Sequence, residues 1–262
     1  LGGDVFINRL EGQDGDDRFT ASGGADALIG GDGSDTVDYS VLASASAVSV
    51  SLQGETTTTV LVTGSDDDTI SGVENVVGTA GGDTLIGDDQ DNLLDGRAGN
   101  DTLDGGEGAD TLLGGDGSDQ ITASAGADVS DGGAGVDTID YSGYASGQSS
   151  DVSLNGATDA AVTVVGGDDQ IIRNIENITT TDGDDRVIGD AQQNIIQTLD
   201  GDDQIGASGG TDTLDGGAGV DTVDYSILAG AQRISVTLDG ENDSTVLVSG
   251  GASDTIVRIE NV

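Results

Sequence analysis

Cysteine, histidine, methionine, tryptophan, proline and lysine are absent from this chain of 262 residues, and its aromatics are limited to four Tyr and two Phe. Without Cys there is neither a disulfide nor a thiol nucleophile, and without His there is no imidazole to bind soft metals or shuttle protons. Positive charge is scarce too. Seven Arg against 50 Asp and Glu give a net charge of -43, a field that repels nucleic acid and anionic membrane surfaces. No apolar run approaches the roughly 20 residues of a membrane-spanning helix, so neither insertion nor pore formation is expected. The opening LGGDV lacks a signal peptide's charged and apolar regions and carries no Met, which reads as a piece of something longer. Any ligand must be held through oxygen.

What the chain does have is 46 Gly and 43 Asp in a fixed phase. Written in nines from Gly78, it reads GTAGGDTLI, GDDQDNLLD, GRAGNDTLD, GGEGADTLL, GGDGSDQIT, ASAGADVSD and GGAGVDTID; five further units run from Thr180 to Asp224, and four precede Tyr39. Across these sixteen units the sixth place is Asp thirteen times and Asn three times, and the eighth is apolar in all but the unit containing Ser130. Disordered acidic sequence would not keep that phase. The Asn units, with Asn8, Asn92 and Asn194, are also those with Phe6, Gln90 or Gln192 in place of the fourth Gly, and each is second in its block.

The repeats define blocks at 1–38, 78–140 and 180–224, separated by inserts at 39–77, 141–179 and 225–262. Each insert opens with DYS, counting the preceding Asp, carries SVSLQG, DVSLNG or SVTLDG, and closes with VENV, IENI or IENV. The spacings Asp38 to Asp140 and Asp140 to Asp224 differ by 18 residues, two whole units. A Gly/Asp turn followed by a short strand with one inward aliphatic fits each nonapeptide, and two of them close one coil of a solenoid. Adding a whole coil then keeps every later turn on its own side. Period-two runs such as Val48, Val50, Leu52 and Ile234, Val236, Leu238, facing Val60, Val62 and Val246, Val248, predict a hairpin in the insert that covers a roll's end. The expected class is all-β, with parallel β-roll blocks separated by hairpin inserts.

One inward aliphatic per nine residues is a meagre core against the entropy of ordering those residues. Like-charged turns make the balance worse, so a cation must hold them. Carboxylate and backbone oxygens, with nothing softer, suit Ca²⁺ better than Mg²⁺, which keeps a stricter octahedron and its waters.

GGDGSDTVD, GGEGADTLL and GGDGSDQIT match GGxGxDxUx, where U is a large aliphatic residue, and so resemble the RTX (repeats-in-toxin), haemolysin-type calcium-binding repeats. The resemblance implies a parallel β-roll with Ca²⁺ between a turn and the next turn on its side, held by both sixth-place Asp. Carried over, the pairs are Asp17 with Asp35, Asp83 with Asp101, Asp101 with Asp119, Asp119 with Asp137, Asp110 with Asp128, Asp185 with Asp203, and Asp203 with Asp221, about seven ions. For Asp101 and Asp119 it implies the carbonyls of Gly96, Ala98, Gly115 and Gly117. Asn8 with Asp26, Asn92 with Asp110, and Asn194 with Asp212 are expected to be weak or empty. Asp66, Asp67, Asp68, Asp168, Asp169 and Asp254 lie in a degenerate insert turn where a solvated turn is the default. Tyr39, Tyr141 and Tyr225 are expected as lids, and Glu74, Glu176 and Glu260 as partners for backbone groups at the next block's entrance. The implied role is a non-enzymatic, monomeric calcium-dependent module of a large type I-secreted protein, extracellular or on a bacterial surface: an adhesin or stalk with a surface ligand of its own. The alternative is the carboxyl-terminal region of a secreted protease, lipase or polysaccharide-modifying enzyme. A solenoid polysaccharide lyase or ice binder is disfavoured by the missing His and Lys and by the lack of a second Thr column.

Overall fold

The computed structural model describes residues 1–43, 46–226, 228, 233–238, 244–248 and 253–262. The end of SVTLDG and residues 239–243 of the loop joining the third insert's first two strands lie outside them. The chain forms two compact units, Leu1–Asp137 and Thr138–Val262. Both are all-β, and among the described residues no helix is long and apolar enough to cross a membrane.

Within the first unit, alternate nonapeptides place their strands in opposite sheets. Leu93–Ala98 pairs in parallel with Thr111–Gly117, and Thr102–Asp104 with Gln120–Thr122. Leu94 stands opposite Leu112 and Leu103 opposite Ile121, the 18-residue step that a two-unit coil requires. These four side chains are at most 1% exposed. Even Ser130, at the eighth place, is buried, so this position faces inward whatever its chemistry, because side chains alternate faces along a strand.

The insert is a three-stranded antiparallel meander, one strand more than the expected hairpin: Val48–Ser51 pairs with Thr58–Val62, which pairs with Asp68–Ser71. Its outer strands also pair in parallel with the blocks, Asp68–Ser71 with Ala27–Asp32 and Val48–Ser51 with Thr84–Ile86. In the opposite sheet Asn75–Val77, from the VENV segment, lies between Thr36–Asp38 and Leu93–Ala98. The meander thus continues the sheets from one block to the next, beyond covering an end. Across it the register steps lengthen: Leu28 stands opposite Ile70 and Val37 opposite Val76.

The second unit repeats the plan. Ser150–Ser153 pairs in parallel with Arg186–Ile188 and antiparallel with Ala160–Val164. Asn177–Thr179 lies between Thr138–Asp140 and Ile195–Gln197. In the last insert Ile234–Ser235, Ser244–Val248 and Ser253–Val257 form the meander, whose final strand pairs with Thr213–Asp215. Tyr39 and Tyr141 are fully buried and Tyr225 nearly so, where the lids were expected.

Candidate metal centres

Each turn begins where a strand runs into Gly and Asp, which favour tight turns over continued pleating. Fourth-place glycines such as Gly33, Gly117 and Gly135 have φ of 147°, 145° and 152°, a region closed to residues with a Cβ. This kink turns the sixth-place side chain back under its own turn.

There the structure joins the expected partners. The backbone N–H of Asp101 donates to Asp119 Oδ1 at 2.7 Å, and that of Asp119 to Asp137 Oδ1 at 2.8 Å. The same contact links Asp17 to Asp35, Asp83 to Asp101, Asp110 to Asp128, Asp185 to Asp203 and Asp203 to Asp221, at 2.7–3.0 Å. The Asn-containing pairs, Asn8 with Asp26, Asn92 with Asp110, and Asn194 with Asp212, are joined likewise. One oxygen of each later Asp is thereby used.

The other oxygen distinguishes the turns: at Asp26 and Asp128 Oδ2 accepts the hydroxyl of Ser22 or Ser124, at 3.1 and 3.4 Å. Oδ2 of Asp35, Asp101, Asp110, Asp119, Asp203, Asp212 and Asp221 is buried without any hydrogen-bond partner. A buried, unpaired carboxylate oxygen is expensive, and the carboxyl groups respond. Burial, the largest influence, raises Asp101 and Asp203 to about 7 and Asp110 and Asp212 to about 6, with neighbouring carboxylates adding to it. Asp35, Asp119 and Asp221 are raised by burial as well. Among the described ion pairs, none brings Arg to these seven residues. Within each unit these oxygens fall on the two sides of the roll, where turns two nonapeptides apart succeed one another.

At the first turn of each later block the carboxylate is already satisfied. Asp83 Oδ2 accepts the Thr79 N–H at 2.6 Å and Oδ1 the Val48 N–H at 2.7 Å. Asp185 accepts the hydroxyls of Thr180 and Thr181 at 2.5 and 2.7 Å and the Ser150 N–H at 2.5 Å. By the repeat pattern Asp83 and Asp185 are ordinary members of their pairs. Their Thr neighbours were the available signal that these carboxylates are held by the protein itself.

The Asn turns close differently. Asn92 Nδ2 donates to the Glu74 carbonyl at 2.8 Å while its Oδ1 accepts the Asp88 N–H at 2.8 Å. Asn194 repeats this with the Glu176 carbonyl and the Asp190 N–H, at 2.9 and 3.0 Å. The amide supplies the donor that a carboxylate lacks, so no cation is required to satisfy it.

The backbone oxygens differ from the implied set. Gly114 O lies 2.9 Å from where a Cβ on Gly96 would stand, close to Asp101 Oδ2, and so points back to the earlier turn. The Arg97 and Gly99 carbonyls point forward, against Gly115 and Gly117. The interval between Asp101 and Asp119 is therefore faced by the carbonyls of Arg97, Gly99 and Gly114. The implied set of Gly96, Ala98, Gly115 and Gly117 does not converge there: Gly96 O faces Gly78, Gly115 O and Gly117 O face Gly133 and Gly135, and Ala98 stands in register with Asp116, whose carbonyl accepts the Gly99 N–H. Alternate carbonyls along a parallel strand point to opposite neighbours; the resemblance supplied the alternation, and the structure reverses its direction.

Among the described residues no three acidic side chains converge as a metal cluster. Any cage would combine two carboxylates with carbonyls, a hard-oxygen set that fits Ca²⁺. Where the first place is Gly, as it is before all of the seven but Asp203 and Asp212, it leaves the cage open: a methyl group on Gly12 would stand 2.5 Å from Asp17 Oδ2 and 2.7 Å from Gly30 O.

Among solved structures, the chain is similar to that of the extracellular lipase LipA from Serratia marcescens, at 14% identity over 68% of this chain and 38% of that one, with a TM-score of 0.23. It thus spans well under half of that lipase, and the likeness is too distant to carry an argument. No curated protein matches. A family model for the RTX calcium-binding nonapeptide repeat matches residues 2–37, 77–112, 104–139, 179–214 and 188–223, which together make up more than half of the chain and fall on the turns described above. The chain belongs to the family of RTX calcium-binding repeat proteins.

Proposed function

We propose that this chain is a structural module that folds when it binds calcium outside the cell, as part of the repeat region of a large type I-secreted bacterial adhesin or stalk. The observation that carries this reading is the set of buried carboxylate oxygens without partners, at Asp35, Asp101, Asp110, Asp119, Asp203, Asp212 and Asp221. Bound Ca²⁺ supplies a hard, doubly charged partner for those oxygens. The aspartates and turn carbonyls hold it, the glycines keep the cage open, and the eighth-place aliphatics set the coil-to-coil spacing of about 4.8 Å that makes each site shared.

Without the ion, mutual repulsion and a thin core disfavour the coiled state, so the chain stays extended and threadable. With it, binding free energy becomes folding free energy. Affinities of about 10⁻⁴ to 10⁻³ M, usual for extracellular modules, match a chain that is unfolded inside and folded outside the cell. The absence of Cys suits export without disulfide chemistry. Calcium-binding nonapeptide repeats make up more than half of the chain, which favours scaffolding over catalysis. The carboxyl-terminal region of a secreted enzyme would use the same switch, but the alternation of blocks and inserts favours an array.

Circular dichroism and small-angle scattering during a Ca²⁺ titration, with Mg²⁺ as control, test the reading. Disorder in chelator, a compact β-rich form in millimolar Ca²⁺ and little response to Mg²⁺ are expected; equal ordering by both ions would contradict it.

A further inference from the structure

The columns of carboxylates do not stop where the nonapeptides stop. After Asp35, the last sixth-place Asp of the first block, the next residue in the column is Glu74 of the insert's VENV segment: the Asp35 N–H donates to Glu74 Oε2 at 2.8 Å. In the second unit the Asp221 N–H donates to Glu260 Oε2, also at 2.8 Å. These contacts reproduce, one methylene longer, the N–H to carboxylate contact of Asp101 with Asp119.

The first-place carbonyl is reproduced too. A Cβ on Gly30 would collide with both Asp35 Oδ2 and the Gly72 carbonyl; one on Gly216 would stand 2.5 Å from Asp221 Oδ2 and 2.6 Å from the Arg258 carbonyl. Gly114 O holds the same position relative to Gly96 and Asp101 Oδ2 inside the middle block. Gly72 and Arg258, with φ of 56° and 48°, therefore stand as first-place residues, and Glu74 and Glu260 as sixth-place residues. The aligned positions are two apart in sequence in place of five, so the segment is a shortened nonapeptide turn in which the longer Glu side chain makes up the reach. Asp35 and Asp221 are each 0% exposed and keep an unpartnered Oδ2 beside these carbonyls. The second oxygen is open at the exit of the block, whereas at its entrance Thr79 and Thr180 close it.

We propose that Asp35, Glu74 and the Gly72 carbonyl, and likewise Asp221, Glu260 and the Arg258 carbonyl, form junction Ca²⁺ sites that fasten the first and the last insert to the block preceding each. The inference rests on calcium binding by the blocks. Its consequence is that an insert orders only after the block before it has loaded, which couples neighbouring blocks along the chain.

The test is to count bound ions on the whole chain by native mass spectrometry, and by equilibrium dialysis with elemental analysis, for wild type, Glu74→Gln, Glu260→Gln and the double variant. Gln keeps an oxygen for the Asp35 or Asp221 N–H, so a role limited to hydrogen bonding predicts an unchanged count. A junction site predicts one ion fewer in each single variant and two fewer in the double, with the β signal of the blocks in millimolar calcium retained. Glu260→Gln lies in the last insert and provides an independent reading if Glu74→Gln fails to fold. A wild-type count preserved in the folded variants would overturn the junction sites while leaving the blocks intact; a wild type that binds no calcium would overturn the block reading itself.

Discussion

Asp119 belongs to two intervals: its Oδ1 accepts the Asp101 N–H, and its unpartnered Oδ2 lies beside Gly114, close to the carbonyl of Gly132 in the next coil. Replacing it with Asn keeps an acceptor for Asp101 and removes one charge from both cages. At about 10 mM calcium and a Kd of about 10⁻⁴ to 10⁻³ M, one bound ion stabilises the folded form by about 1.4 to 2.7 kcal/mol. Losing two costs about 3 to 5 kcal/mol if the sites act independently. In chelator the sign reverses, because the substitution removes a carboxyl group whose burial raises its pKa and leaves Oδ2 unpaired. Asp119→Asn is therefore expected to need several-fold more calcium to reach half its β signal, with a shallower transition, yet to be no less ordered than wild type in EDTA. Circular dichroism over a calcium titration, paired with denaturation at fixed calcium, reads both quantities. A midpoint and slope equal to wild type would refute the shared-ion reasoning.

Three further outcomes are expected. Burial raises Asp101 and Asp203 to about 7 and Asp110 and Asp212 to about 6, so the calcium-free fold binds protons that the unfolded chain releases above the ordinary carboxylate range. Its stability should fall as pH rises from about 4 through 7; calcium-free samples should be more ordered at pH 5 than at pH 8, and apparent calcium affinity, measured at pH 6 and 8, should be weaker at the lower pH. Asn92→Asp removes the donor to the Glu74 carbonyl and should cost about 1 to 3 kcal/mol in saturating calcium by chemical denaturation; a neutral result would remove the case for the Asn turns as self-satisfied closures. Gly12→Ala puts a methyl 2.5 Å from Asp17 Oδ2 and should cost about 1 to 3 kcal/mol and weaken calcium binding in the first block, read by titration; an unchanged curve would mean the cage has room to spare.

Much of the fold is legible in one dimension because the repeat carries it. Inward placement of Leu103, Leu112 and Ile121 follows from the phase of the nonapeptide, and the 18-residue register from the quantised difference between blocks. Pairing of the sixth-place aspartates follows from the same period. Directional features are not written in the pattern: which carbonyls face a given interval depends on strand polarity, and this reversed the oxygens implied for Asp101 and Asp119. Nor does the motif show that Thr79 and Thr180 hold the entrance carboxylates, because that contact needs the conformation of the first turn. Glu74 had been read as a partner for backbone groups, and it does accept the Asp35 N–H. The group belongs to the preceding block, however, since Asn75–Val77 stacks between both blocks.

The most direct measurement is a crystal structure grown in millimolar calcium, with anomalous differences recorded to locate the ions. Density peaks are predicted within bonding distance of Asp101 Oδ2 and Asp119 Oδ2, in the intervals faced by the carbonyls of Gly114 and Gly132. Ordered coils whose intervals hold only water at those oxygens would contradict it.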